Sequence, residues 1–165
     1  MAVKEVALCA FMDIEGAFDN TSFAAMERGV RERGVEPSIC KWIAAMLGSR
    51  RVAAILCNES VMITPMKGCP QGGVLSPLLW NLVVDGLICR LNDQSIYAQG
   101  YADDLVLMVR GKFCSVTADI MNAGLRCVHS WCLSEGLNVN PSKTVVIPFT
   151  NSRASFKTET GFNKA

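Results

Sequence analysis

Three aspartates of this chain stand at the ends of apolar runs. Asp13 follows Val6 to Met12 (VALCAFM), and Asp103 and Asp104 separate two further strand-like runs, Ile96–Ala102 and Leu105–Arg110. A carboxylate beside a core loses hydration that something must compensate. In one account each strand simply ends at the surface, where aspartate is a common turn former. In the other, the two strand ends lie side by side in one sheet and the acids converge. Clustered carboxylates repel unless a divalent cation sits among them, and hard oxygen ligands with open positions suit Mg²⁺. A site of that kind serves phosphoryl transfer.

A second segment points the same way. Lys67-Gly68-Cys69-Pro70-Gln71-Gly72-Gly73 directly precedes a helical pattern, and its missing side chains let a ligand approach the backbone closely. It is neither a P-loop, since G-x-x-x-x-G-K-[ST] is absent, nor a dinucleotide fingerprint, since no preceding strand and spaced acid accompany it. The eight cysteines contain no C-x-x-C pair, and there is one histidine, His129. Close-spaced zinc ligands are therefore missing, and the cysteines are expected to be reduced, buried small hydrophobes. His129, in a helical pattern beside Trp131, is expected as a surface or half-buried helix residue rather than as a general base.

The elements that would position these groups follow from periodicity. Val6–Met12 suits a strand buried on both faces. Thr21 or Ser22 can cap a helix to about Arg33 with Phe23, Met26 and Val30 on one stripe, and Pro37 opens a second whose Ile39, Trp42, Ile43, Met46 and Leu47 recur until Gly48. Arg51–Cys57 and Ser60–Thr64 predict a hairpin around Asn58-Glu59. A helix beginning near Val74 or Ser76-Pro77 and running to about Asn92 shows Leu78, Leu82, Asp85, Leu87 and Ile88 and looks apolar rather than amphipathic. Asp103-Asp104 joins the two late strands as a hairpin tip. A helix over Phe113–Glu135 shows Val116, Ile120, Leu125, Val128 and Trp131, and Lys143–Phe149 closes the pattern as a last strand.

The 165 residues are 50% hydrophobic, with 16 basic and 15 acidic side chains. That excludes a chain that is disordered as a whole and predicts one core. No basic stripe stands out of the kind a stand-alone nucleic-acid binder uses against phosphates. No run reaches the roughly 20 apolar residues of a membrane span, and no secretory leader is evident, so an intracellular protein without a membrane partner is expected.

Four ordered blocks together resemble the palm of a reverse transcriptase, in particular the non-LTR (LINE-type) retrotransposon branch: FMDIEGAFDNTSF at 11–23, KGCPQGGVLSPLLWNLVVD at 67–85, YADDLVLMV at 101–109 and GLNVNPSKT at 136–144. The resemblance implies an α+β fold, a palm-like antiparallel sheet packed against helices, with incomplete fingers and no thumb. It implies a partial domain over residues 1–150; the tail over 151–165 has few large hydrophobes and is expected to be frayed. Asp13 and Asp103 would ligate two Mg²⁺ ions with help from the Ile14 carbonyl, and Asp104 would be a nearby, less direct carboxylate. Phe18, five positions after Asp13, would stack under the sugar and exclude a 2′-hydroxyl; otherwise it is a core aromatic. Gln71 would contact the incoming nucleotide and template, Gly72 would let the backbone approach the new base pair, and Tyr101 would pack beside the metal site. Lys143 would protonate departing pyrophosphate, or else is a solvated lysine after a turn. Arg50, Arg51 and Lys67 could touch phosphates. The implied partners are an RNA template with a DNA primer and deoxynucleotides (dNTPs), with nuclear action at chromosomal targets.

The chain departs from the family where upstream finger motifs and a downstream primer grip and thumb are expected. The expectation is a fragment, a truncated gene copy or a palm core taken from a longer polyprotein, with its site residues intact. The alternative is a catalytically inactive remnant that at most binds RNA or a partner.

Overall fold

The computed structural model of the protein describes residues 5–57 and 59–150; the expected frayed tail, 151–165, lies outside them. In chain order the elements are β1 (Val6–Asp13), α1 (Ala17–Asn20), α2 (Phe23–Glu32), α3 (Pro37–Gly48), β2 (Val52–Leu56), β3 (Glu59–Ile63), α4 (Ser76–Asp93), β4 (Tyr97–Tyr101), β5 (Asp104–Gly111), α5 (Cys114–Glu135) and β6 (Val145–Phe149). Residues 16–83 form one compact unit. The described residues up to Glu15 and those from Val84 onward form another.

The second of these units is built on a four-stranded antiparallel sheet in the order β4-β5-β1-β6. Period-2 alternation divides its faces. Leu8, Ala10 and Met12 of β1 and Leu105, Leu107 and Val109 of β5 are buried, and α5 packs against both strands. Full burial of a leucine such as Leu8 or Leu107 stabilises by about 1.5–3 kcal/mol relative to exposure. Gly124 lets α5 approach closely, because a Cβ there would stand 3.0 Å from Ile96 Cδ1 and 3.3 Å from Leu107 Cδ1. Gly136 ends the helix with φ 71°, as a left-handed glycine cap should. The buried stripe of α5 runs through Thr117, Met121, Gly124, Leu125, Val128, Trp131 and Cys132. The expected Val116 and Ile120 are 51% and 36% exposed. Those two side chains fall one position off the stripe that the close approach at Gly124 selects.

In the 16–83 unit, α2 packs on α3. Ser22 caps α2 by accepting from the Ala25 amide, and Pro37 occupies the first turn of α3, as expected of each residue type. Met26, Val30, Ile43 and Leu47 are buried, whereas Ile39 and Trp42 are exposed. Helical spacing marks both faces of α3 as apolar, so burial alone selects between them. The β2–β3 hairpin pairs Val52 with Ile63 through Leu56 with Glu59. It forms a separate two-stranded sheet, with Val52, Ile55, Val61, Met62 and Ile63 exposed.

Helix α4 begins in the 16–83 unit and continues into the sheet unit. Its buried positions are Leu79, Trp80, Val83, Val84, Leu87 and Leu91, with Leu78 exposed. The apolar look of this helix therefore hides a real stripe, one position away from the expected Leu78–Leu82 row. Among the described residues no helix is long and apolar enough to cross a membrane.

All eight cysteines are free, but only Cys69 and Cys132 are buried, and Cys57 and Cys89 are exposed. The expectation of uniformly buried thiols therefore fails at those two positions. His129 lies exposed on α5.

Candidate active site

Within the sheet unit, the β1/β5 register sets Asp13 directly opposite Asp104, and the β4/β5 register sets Tyr101 opposite Asp104 on the other side. Tyr101, Asp104 and Asp13 thus form one cross-strand row at the end of the sheet. Asp103 sits in the two-residue loop between β4 and β5. Its carbonyl accepts from the Ile14 amide at 2.9 Å, which ties the loop to the end of β1. Ala102, the other loop residue, has φ 51°, a left-handed conformation that costs a non-glycine residue roughly 1–2 kcal/mol. Such local strain persists where the surroundings impose it.

The segment after α5 completes this tip. Ile14 bridges Val139, Glu15 N donates to Asn138 O at 2.8 Å and Asn140 N donates to Asp13 O at 2.8 Å. The turn that follows, with Ser142 bonded to Asn140 Oδ1, brings Lys143 Nζ to 3.0 Å from Asp13 Oδ1. That hydrogen bond and the Asp13 charge, with smaller help from the Asp103 and Asp104 charges, hold the ammonium above its ordinary range. All three carboxylates therefore act on one cation. Ile14 is buried at 2% exposure, so only its backbone could serve a ligand. Tyr101 is 81% exposed: it flanks the acids rather than packing into them.

Within the 16–83 unit, the glycine-rich loop is bound to α1. Gly68 N donates to Thr21 O at 2.7 Å and Cys69 N to Phe18 O at 2.6 Å. Lys67 Nζ reaches Asn20 Oδ1 at 2.9 Å. Gly68, at φ 88°, lies so close to α1 that a Cβ would stand 2.7 Å from Asp19 O, which is why glycine is required there. Arg50 Nη2 donates to Lys67 O at 3.2 Å and Gly68 O at 2.6 Å, with its guanidinium 5.3 Å from the Phe23 ring centroid. Gln71 Nε2 donates to Asp19 Oδ1 and Oδ2 at 2.9 and 3.1 Å. Phe18 is half-buried and its ring lies 6.0 Å from that of buried Trp80. Phe18, Gln71, Gly72, Gly73, Ser76 and Pro77 line one cavity of about 470 Å³.

Residues 2–157 match the family described as reverse transcriptase (RNA-dependent DNA polymerase). The chain belongs to that family. It is 33% identical over 153 residues to a 115 kDa protein of the type-1 retrotransposable element R1DM of Drosophila melanogaster, a match covering 88% of this chain and 14% of that protein. It is 28% identical over 147 residues to a retrovirus-related Pol polyprotein from type-1 retrotransposable element R2 of Popillia japonica, covering 82% and 23% respectively. These relatives come from the non-LTR branch indicated by the four sequence blocks, and the chain spans under a quarter of their length. The fold is similar to that of apo telomerase from Candida tropicalis, with TM-score 0.71 at 11% identity over 90% of this chain and 29% of that one. The palm-like α+β architecture of a reverse transcriptase is therefore present.

The donor set of this reverse transcriptase chain suits Mg²⁺. Three carboxylates and a strand-end carbonyl are all hard oxygen ligands, and the Lys143 ammonium on Asp13 places positive charge where a cation would be favoured. Among the described residues no three His, Cys, Asp or Glu side chains are gathered closely enough to hold a metal ion by themselves. Mg²⁺ commonly keeps several water or phosphate oxygens, so a partial protein ligand set is compatible with it. Sequence reasoning missed Asp19, Asn20 and Arg50 as partners of the loop. Asp19-Asn20 looks like an ordinary turn, and no local pattern links it to residues some fifty positions away.

Proposed function

We propose that the chain is the palm of an RNA-directed DNA polymerase that adds dNTPs to a DNA primer on an RNA template by two-Mg²⁺ nucleotidyl transfer, within a longer retrotransposon polyprotein acting in the nucleus. The observation that carries this reading is the strand register: Asp13 lies opposite Asp104, with Asp103 tied to Ile14 in the adjoining loop. Asp13, Asp103 and the Ile14 carbonyl would hold the ions, and Asp104 would add negative potential beside them. Bound there, Mg²⁺ would lower the pKa of a primer hydroxyl and neutralise charge that develops on the departing pyrophosphate.

The remaining groups divide the other tasks. Lys143 holds its proton firmly and can give it to the leaving group, provided it swings from Asp13 as that carboxylate takes up a cation. Phe18, backed by Trp80, would stack under the sugar and crowd a 2′-hydroxyl. Gln71 would touch the incoming nucleotide and template, Gly72 would admit the base pair to the backbone, and Tyr101 would flank the acids.

In a polypeptide that also supplies fingers and thumb, Asp13→Asn and Asp103→Asn should each lower primer extension by at least about a thousandfold, since each removes a metal ligand from the reacting centre. Extension by either variant within tenfold of the wild type would refute the metal assignment.

A further inference from the structure

Gln71 belongs to the walls of two cavities. One is the Phe18 cavity described above; the other, about 580 Å³, is lined by Asp19, Arg50, Arg51 and Lys67 among others. Among the described residues, its side-chain amide is held at one end, by the two contacts from Nε2 to the Asp19 carboxylate at 2.9 and 3.1 Å. A carboxylate accepts and cannot donate, so the amino end of the amide must face Asp19. The carbonyl oxygen Oε1 is thereby turned away and left to accept from a ligand. Asp19 is itself well placed to impose this. Its backbone abuts Gly68, and its neighbours Phe18, Asn20 and Thr21 each accept a hydrogen bond from residues 67–69 of the same loop.

We propose that Asp19 is a positioning residue that fixes Gln71 as a hydrogen-bond acceptor, so that the bound nucleotide must offer an O–H or N–H donor at that point. The inference rests on the nucleotide-binding reading of Gln71 and deepens it. Without Asp19 the amide can turn over, and half of its orientations present a donor instead.

Three substitutions separate orientation from general damage. Glu at position 19 keeps a group that only accepts, Leu removes it, and Lys offers only donors and inverts the amide. In single-nucleotide incorporation by a polypeptide that adds fingers and thumb, Asp19→Glu should leave KM for dNTP within about twofold. Asp19→Leu should raise KM about fivefold and Asp19→Lys about tenfold or more, with kcat moving less, on the scale of one charge-assisted hydrogen bond. In a Gln71→Ala background the Leu and Lys effects should vanish, because the two residues act as one unit. Equal KM for Leu and Lys, or additive effects with Gln71→Ala, would overturn the proposal.

A measurement without turnover keeps the test independent of polymerase activity. The Gln71 side-chain NH₂ resonances of the 165-residue chain should shift and exchange faster with solvent in Asp19→Leu but not in Asp19→Glu. Identical spectra for wild type and Asp19→Leu would sink the tether. A wild type that incorporates nothing while its amide signal stays tethered would remove the polymerase reading alone.

Discussion

The carboxylate tip and the glycine-rich loop both unite residues remote in sequence, but different bonds hold them. At the tip, Asp13 and Asp104 are placed by eight consecutive register pairs between β1 and β5, and the Asn138–Asn140 segment extends the same kind of backbone pairing. A strand shifted by one residue would send Asp13 to the buried face along with the whole alternation. The acids are thus located by the sheet as a body. The loop has no such ladder. It is located by scattered contacts: side chains of Asp19, Asn20 and Arg50, each replaceable alone, two backbone carbonyls, one isolated bridge between Ser22 and Lys67, and the buried Cys69 thiol against Met26. The difference teaches that the tip should fail only when the sheet fails, whereas the loop can be loosened without unfolding anything else.

The largest expected effect attacks the sheet. Leu107→Ala should cost about 2–5 kcal/mol in urea-monitored unfolding, because a fully buried leucine between α5 and its neighbours leaves a cavity that the strands cannot close. It should also release the tip, so that the amides of Ile14 and Asn140 exchange faster together. If those two amides stay protected while stability falls, the tip is not governed by the sheet.

A smaller effect, confined to one place, follows from Gly68→Ala. A Cβ at φ 88° and 2.7 Å from Asp19 O adds strain of about 1–3 kcal/mol. Proteolysis within residues 66–73 should speed up while the β1 and β5 amides keep their exchange rates. Equal loss of protection in both regions would erase the distinction between them.

The smallest effect sharpens the comparison through two buried thiols. Burial pushes Cys132, on α5, up to about 12 from 9.0, and it also raises Cys69, in the loop, where the Arg50 charge pulls in the opposite direction. Both thiols hold their proton more tightly folded than unfolded. Their contribution is therefore complete below pH 9.0 and declines as pH rises above that value. Iodoacetamide at alkaline pH should label exposed Cys57 and Cys89 first, then Cys69, and Cys132 last. Labelling of Cys132 ahead of Cys69 would contradict the electrostatic contrast between the two regions.

Much of the candidate site was legible in the amino-acid order. The apolar run ending at Asp13, the Asp103-Asp104 tip and the order of the four blocks gave the family and the strands. Local chemistry also marked the cap at Ser22 and the helix ends near Gly48 and Gly136, because capping side chains and helix-weakening glycines act within one turn of chain. The errors fell where a helix had more apolar positions than one face can bury. Leu78, Val116, Ile39 and Trp42 have the right character and spacing, and only the neighbouring element decides which row turns inward.

What the amino-acid order determined by itself was therefore the set of pieces and the residues able to do chemistry, since backbone preference and hydrophobic period are properties of short stretches. The tertiary structure alone decided that Asp13 faces Asp104, that Lys143 returns 130 residues later to the first of those acids, and that Asp19 holds Gln71. Those pairings depend on strand register and loop closure. Neither leaves a local trace, because the energies that fix them arise only when distant segments meet.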